Sequence, residues 1–191
     1  MDLVTIQALT MLYAIASLVL MSLGLAIVFG MMRVINLAHG EFMMMGAYAA
    51  VVATRNGINV WVAILIVAPL VVGIIGFIVE RLLIRFLYGR MIDTMLATWG
   101  LSLFFVGAVT TIFGATTESI AAPLGPLAIG GYKIGLYNIF LIIVAVALLA
   151  GLYAVLRYTR AGLIARGTMQ SADMAAALGV SPRLVYSVTF T

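Results

Sequence analysis

Gly30-Met31-Met32-Arg33-Val34-Ile35-Asn36-Leu37-Ala38-His39-Gly40-Glu41-Phe42-Met43-Met44-Met45-Gly46-Ala47-Tyr48 is the stretch on which the reading of this chain turns. A long apolar run breaks here at Arg33, Asn36, His39 and Glu41, and apolar residues resume at once. Polar side chains are costly in hydrocarbon, so the cluster marks a water-filled path, a site, or a helix start held inside protein. The competing reading is a short cytoplasmic turn between two spanning helices, because hydropathy does not fix depth.

Composition sets the class. Of the 191 residues, 65% are hydrophobic and 8% charged, against roughly 25% charged in a soluble domain. Such a chain cannot cover a soluble surface, and it reads as an integral membrane protein. The net charge of +4 rests on ten basic residues, which speaks for orientation in a bilayer and against nucleic-acid binding. With no Cys, disulfides, thiolate metal sites and cysteine nucleophiles are excluded.

Outward from the opening stretch, the pattern predicts an all-α polytopic bundle over residues 1–191, taken as one transmembrane domain with a cytoplasmic segment at about 157–183. Ala8 to Gly30 reads as an uncleaved first span, since Asp2 and no basic residue precede a run too long for a signal peptide. Leu37 to Thr54 is a short second helix of about 27 Å, with Gly46 and Ala50 as a small-residue pair. Arg55-Asn56-Gly57-Ile58-Asn59 is a turn. Val60 to Val79 is a third span with Pro69 as a kink, and Glu80 to Arg90 an amphipathic interfacial segment. Thr94 to Phe113 and Leu136 to Leu156 are the fourth and fifth spans. A Pro/Gly-rich loop with Glu118, Gly130 and Gly131 separates them, and a sixth apolar run starts at Leu184. Arginines crowd 80–93 and 157–183, while 114–133 carries only Lys133. The positive-inside rule then places both basic segments in the cytoplasm and the Pro/Gly loop and the N-terminus outside.

The catalytic inventory is short. No phosphate-binding glycine loop precedes Lys133, the lone His39 has no partner His or Cys for a metal, and no nucleophile–base pair stands out. Glu80 and Asp93 read as solvated or ion-paired. The chain is expected not to be an enzyme and to hold no metal and no cofactor of its own.

A second stretch, Ala165 to Pro182, encodes a short bounded helix. Ser171 is a good N-cap, Asp173 meets the positive end of the helix dipole, and Met174 to Leu178 favour helix. Gly179 is placed to close it in a left-handed conformation, and Pro182 prevents resumption. An ordinary loop helix is the plain alternative.

Asp173-Met174-Ala175, with Gly179 six residues after Asp173, resembles the E-A-A-x-x-x-G coupling motif of ABC-importer permeases, with Asp for Glu and Met for the first Ala. Ile35-Asn36-Leu37-Ala38-His39-Gly40-Glu41 resembles the signature of the branched-chain amino acid permease family, which includes urea permeases. Leu87-Tyr88-Gly89-Arg90 and Leu96-Ala97-Thr98-Trp99-Gly100-Leu101-Ser102 resemble the urea branch. The resemblance implies a multi-pass subunit of a bacterial inner-membrane importer for branched-chain amino acids or small amides such as urea. It also implies partners: membrane lipid, a second permease, cytoplasmic ABC ATPases that bind the ATP, and a periplasmic binding protein. Asn36, His39, Gly40 and Glu41 would lie on the substrate path. Ser171, Asp173, Ala175, Ala176 and Gly179 would dock the ATPase. Family members are longer, so the chain is expected to lack its C-terminal part. A secondary transporter or channel without ATP, and an inert truncated permease, are the other readings.

Overall fold

The computed structural model describes residues 2–114, 119–120, 123–129 and 132–190. Glu118, Gly130 and Gly131 of the predicted loop therefore lie outside the described residues. The chain divides into two compact units, one of Met1–Gly24 with Ala121–Arg166 and one of Leu25–Ile120 with Gly167–Thr191.

The first unit holds most of α1 (Asp2–Met32), the hairpin strands β1 (Pro126–Ile129) and β2 (Tyr132–Gly135), α6 (Leu136–Tyr158) and the start of α7 (Arg160–Gln170). The hairpin was not expected in the Pro/Gly loop. It pairs antiparallel, Pro126 opposite Gly135 and Ile129 opposite Tyr132, which satisfies backbone groups that a bare loop would leave to water. At the other end of α6, Thr159 caps α7: its hydroxyl accepts from Gly162 N at 3.0 Å. Gly162 is needed for closeness, because a Cβ there would run into the Val155 carbonyl and the Leu156 backbone.

The second unit contains α2 (His39–Arg55), α3 (Val60–Val62), a π-helical turn (Ala63–Val67), α4 (Ala68–Leu82), a 3₁₀ turn (Ile84–Phe86), α5 (Met91–Phe113), α8 (Ala172–Ala177) and α9 (Pro182–Phe190). The π turn has a local cause. Pro69 offers no N–H to the Leu65 carbonyl and its ring crowds that carbonyl, so the turn widens just before it. The predicted kink is thus a widened turn. The Asn56-Gly57 turn closes α2 through Gly57 N to Thr54 O and Ile58 N to Ala53 O, both 3.1 Å, the paired bonds of a left-handed helix end. Across this turn Ala50, Ala53 and Ala63 form a small-residue core. Gly46 lets α2 approach α4, since a Cβ there would sit 3.0 Å from Val72 Cγ2.

Among the described residues four helices are long and apolar enough to cross a membrane: Leu3–Met32, Val60–Phe86, Met91–Phe113 and Leu136–Tyr158. The all-α polytopic class holds, but the expected five spans plus a sixth become four. At 17 residues α2 is about 26 Å long, short of a hydrocarbon core of about 30 Å. The nine-residue α9 is shorter still.

Glu80 to Arg90 is also corrected. No separate interfacial helix forms. α4 runs through Glu80, which is 1% exposed, and the 3₁₀ turn buries Ile84 completely. Glu80 is not solvated: it accepts from the Tyr88 hydroxyl and, at 2.9 Å, from Ser187 of α9. Asp93 does pair with Arg90 at the surface.

Candidate functional site: a helix that starts inside the bundle

The break in the opening stretch is six residues of non-helical backbone. α1 ends at Met32, Arg33 takes the left-handed conformation (φ 53°), and α2 starts at His39. Val34, Asn36 and Ala38 are buried, Ala38 completely. The neighbouring α5 shows how deep this lies. Glu41 meets Ser102, Phe42 meets Phe105 and Tyr48 meets Phe113, so α2 and α5 run in the same direction. Level with the break is Thr98, seven residues into α5 and about 10 Å along its axis. α2 therefore begins well inside the unit, where a turn in water would not.

Irregular backbone at such depth must find its partners in protein. The Thr98 side chain is fully buried and serves both sides of the chain. Its oxygen accepts from Leu37 N at 3.1 Å, and its one O–H lies between Met95 O at 3.1 Å and Ile35 O at 3.3 Å. Asn36 Oδ1 accepts from Ala38 N at 3.0 Å. The helix predicted from Leu37 starts two residues later, with Ala38 at the N-cap and no side-chain cap. Asn36 instead closes the turn that leads into the helix, and Ala38 O accepts from Glu41 N and Phe42 N at 3.1 Å each.

Glu41 stands in the first turn of α2, half-buried, and accepts from Ser102 Oγ at 2.7 Å. Its carboxylate thus stands at the positive end of the α2 dipole. His39 is the first residue of the helix and half-buried. Gly40 is exposed, and a Cβ there would meet nothing within 4 Å. The close helix approach lies at Gly46, one of the predicted small-residue pair.

Thr94, Thr98 and Ser102 were not singled out as site residues, yet they are the hydroxyl face of α5. Thr94 Oγ1 holds Leu87 O and Arg90 O at 3.1 and 2.8 Å. Their four-residue spacing in an apolar helix was the available signal. Beside the break opens a cavity of about 420 Å³ whose polar lining includes Arg33, Arg90, Thr94 and Gln170. None of the predicted path residues lines it. The cavity does bring the break next to Thr168, Met169 and Ala172, the residues leading into α8. Among the described residues no cluster of three His, Asp or Glu gathers to hold a metal.

α8 forms where expected. Ser171 Oγ accepts from Met174 N at 3.3 Å, and Asp173 sits in the first turn. Gly179 is left-handed (φ 86°), with Gly179 N to Ala176 O and Val180 N to Ala175 O both at 3.0 Å. Ala175 is buried, whereas Ala176, Met174 and Leu178 are exposed, Leu178 at 86%.

Comparison with known proteins adds the following. The profile of the family described as branched-chain amino acid transport system / permease component matches residues 7–191. The high-affinity branched-chain amino acid transport system permease protein BraD of Pseudomonas aeruginosa is 26% identical over 187 residues, covering 90% of this chain and 61% of its own length. LivH of Escherichia coli K12 is 25% identical over 187 residues, with 90% and 60% covered. A probable LivH of Methanocaldococcus jannaschii is 27% identical over 173 residues, with 85% and 54% covered. This chain thus spans about 60% of the length of the first two relatives. No solved structure matches it.

Proposed function

Because the chain belongs to the family of branched-chain amino acid transport system permease components, we propose that it forms the translocation path of a bacterial inner-membrane ABC importer. Its substrate is a branched-chain amino acid or a small amide such as urea. It works with a second permease, cytoplasmic ATPases and a periplasmic binding protein. The observation that carries this reading is the buried, non-helical stretch at Arg33–Ala38. A chain that only anchored partners would have no use for buried irregular backbone, whereas a path needs polar groups at depth.

The reading assigns Asn36, His39 and Glu41 to the path and α8 to ATPase docking. Support for the docking is the exposed apolar pair Met174 and Leu178, one helical turn apart on a capped helix. An apolar pair left in water has no value to this chain alone and suits a groove on a partner.

The test is uptake of labelled leucine and of labelled urea by proteoliposomes holding the assembled importer. Uptake should require ATP. Leu178→Glu should abolish both uptake and copurification of the ATPase while the chain stays in the membrane. Uptake that continues without ATP would show a channel or secondary transporter instead.

A further inference from the structure

A feature on the other side of α4 belongs neither to the break nor to α8. Phe77, Arg81 and Arg85 follow one another at four-residue spacing along one face of α4 and the 3₁₀ turn. Together with Arg183 and Leu184 of α9 they line a cavity of about 580 Å³. A second hollow of about 620 Å³ shares Arg85 and Arg183 with it. Three guanidiniums thus gather around one depression whose single carboxylate, Glu80, is buried and taken up by Tyr88 and Ser187. Among the described residues none of the three forms an ion pair.

The depression is graded from charged to apolar. Arg81 of α4 and Arg85 of the 3₁₀ turn stand at the end of the span Val60–Phe86, and Phe77 lies inside it. α9 runs alongside, bonded to Glu80 through Ser187, and ends at Phe190, whose ring packs edge-on against Phe42 with centroids 6.1 Å apart. Its Arg183 therefore lies at the charged end, and its exposed Leu184 and Val188 continue toward the apolar end. Clustered guanidiniums at a span end with an apolar groove running inward match one class of molecule. The phosphate of a lipid seats on the arginines while its acyl chain lies along Phe77, Leu184 and Val188.

We propose that this groove is a binding site for an anionic phospholipid. It goes beyond the transport reading and does not depend on it.

The experiment is native mass spectrometry of the purified chain from neutral detergent, after addition of phosphatidylglycerol or phosphatidylcholine with matched acyl chains. Phosphatidylglycerol should be retained on the order of a hundredfold better, and each arginine replaced by Gln should lower its retention about fivefold. The combined Arg81→Gln, Arg85→Gln, Arg183→Gln variant should bring the two lipids level. Replacement of the same three by Lys keeps the charge and should keep most of the preference, which separates loss of the site from misfolding. Arg157→Gln with Arg160→Gln, two exposed arginines outside the groove, should change nothing. Equal retention of both lipids by the unaltered chain overturns the proposal, as does an equal loss from the Arg157 and Arg160 pair. Leu184→Asn with Val188→Asn should weaken phosphatidylglycerol. If it does not, and inorganic phosphate displaces the lipid, the site takes a free anion and the lipid assignment fails.

Discussion

At the scale of single residues, one hydroxyl replaces the helical hydrogen bonds that the break gives up. Thr98→Val keeps the shape and leaves the Leu37 N–H without its partner, at a cost of about 1 kcal/mol. Thermal unfolding in detergent should show it as a lowered Tm, with Thr110→Val, exposed on the same helix, as the unaffected control. An unchanged Tm in Thr98→Val would mean that the break finds its partner elsewhere. Gly46→Leu should overpack against Val72 and cost about 1–3 kcal/mol, whereas Gly40→Leu should leave the fold of this chain intact. Tyr88 offers a pH readout. Burial first, then the hydrogen bond to Glu80, push its phenol above the ordinary value. The contribution of Tyr88 to stability is complete below about pH 10, where the unfolded chain also holds the proton, and fades as pH climbs through the higher folded value. Tyrosinate absorbance in an alkaline titration should therefore show a late-ionising phenol that Tyr88→Phe removes. These roles differ in how visible they were beforehand. Asn36 and Glu41 stood out because polar atoms are rare in an apolar run. Thr98 did not, since a threonine in a membrane helix ordinarily bonds the carbonyl one turn back, and only the fold brings Leu37 to it.

At the scale of elements, local chemistry was legible and depth was not. The Asn56-Gly57 turn, the span ends at Phe113 and Leu136, and the capped α8 follow from residues adjacent in sequence. The burial of Glu80 depends on α9, more than a hundred residues away, and no periodicity in α4 announces it. α7 was missed because its apolar residues are few, yet Thr159 and Gly162 encode its start. Gly162→Ala should therefore force the corner between α6 and α7 open, and limited proteolysis should cut near Thr159 faster than in the unaltered chain. Resistance equal to the unaltered chain would mean that the corner can shift at little cost. For α8, Ser171→Ala should cost about 1 kcal/mol through the lost cap.

At the scale of the whole chain, orientation is tested by thiol labelling, which the lack of Cys makes clean. A Cys at Ser119 should react with an impermeant thiol reagent from the periplasm, and a Cys at Leu178 only after the inner membrane is opened. The reverse pattern would invert the topology. The buried break between α1 and α2 also bears on how the protein is made. α1, with a mean hydropathy of 2.4 over its best window, can leave the translocon on its own merits. The segment from Arg33 to Arg55 cannot do so as readily, since Arg33 and Glu41 each oppose partitioning and its unpaired backbone has no partner until Thr98 has been synthesised. Insertion of residues 33–55 should thus lag behind their synthesis by some sixty residues. Ribosome-bound chains ending before Thr98 should leave this segment open to protease, and chains extended past Phe113 should shelter it. The order in which the polypeptide enters the bilayer would then differ from the order in which it is translated.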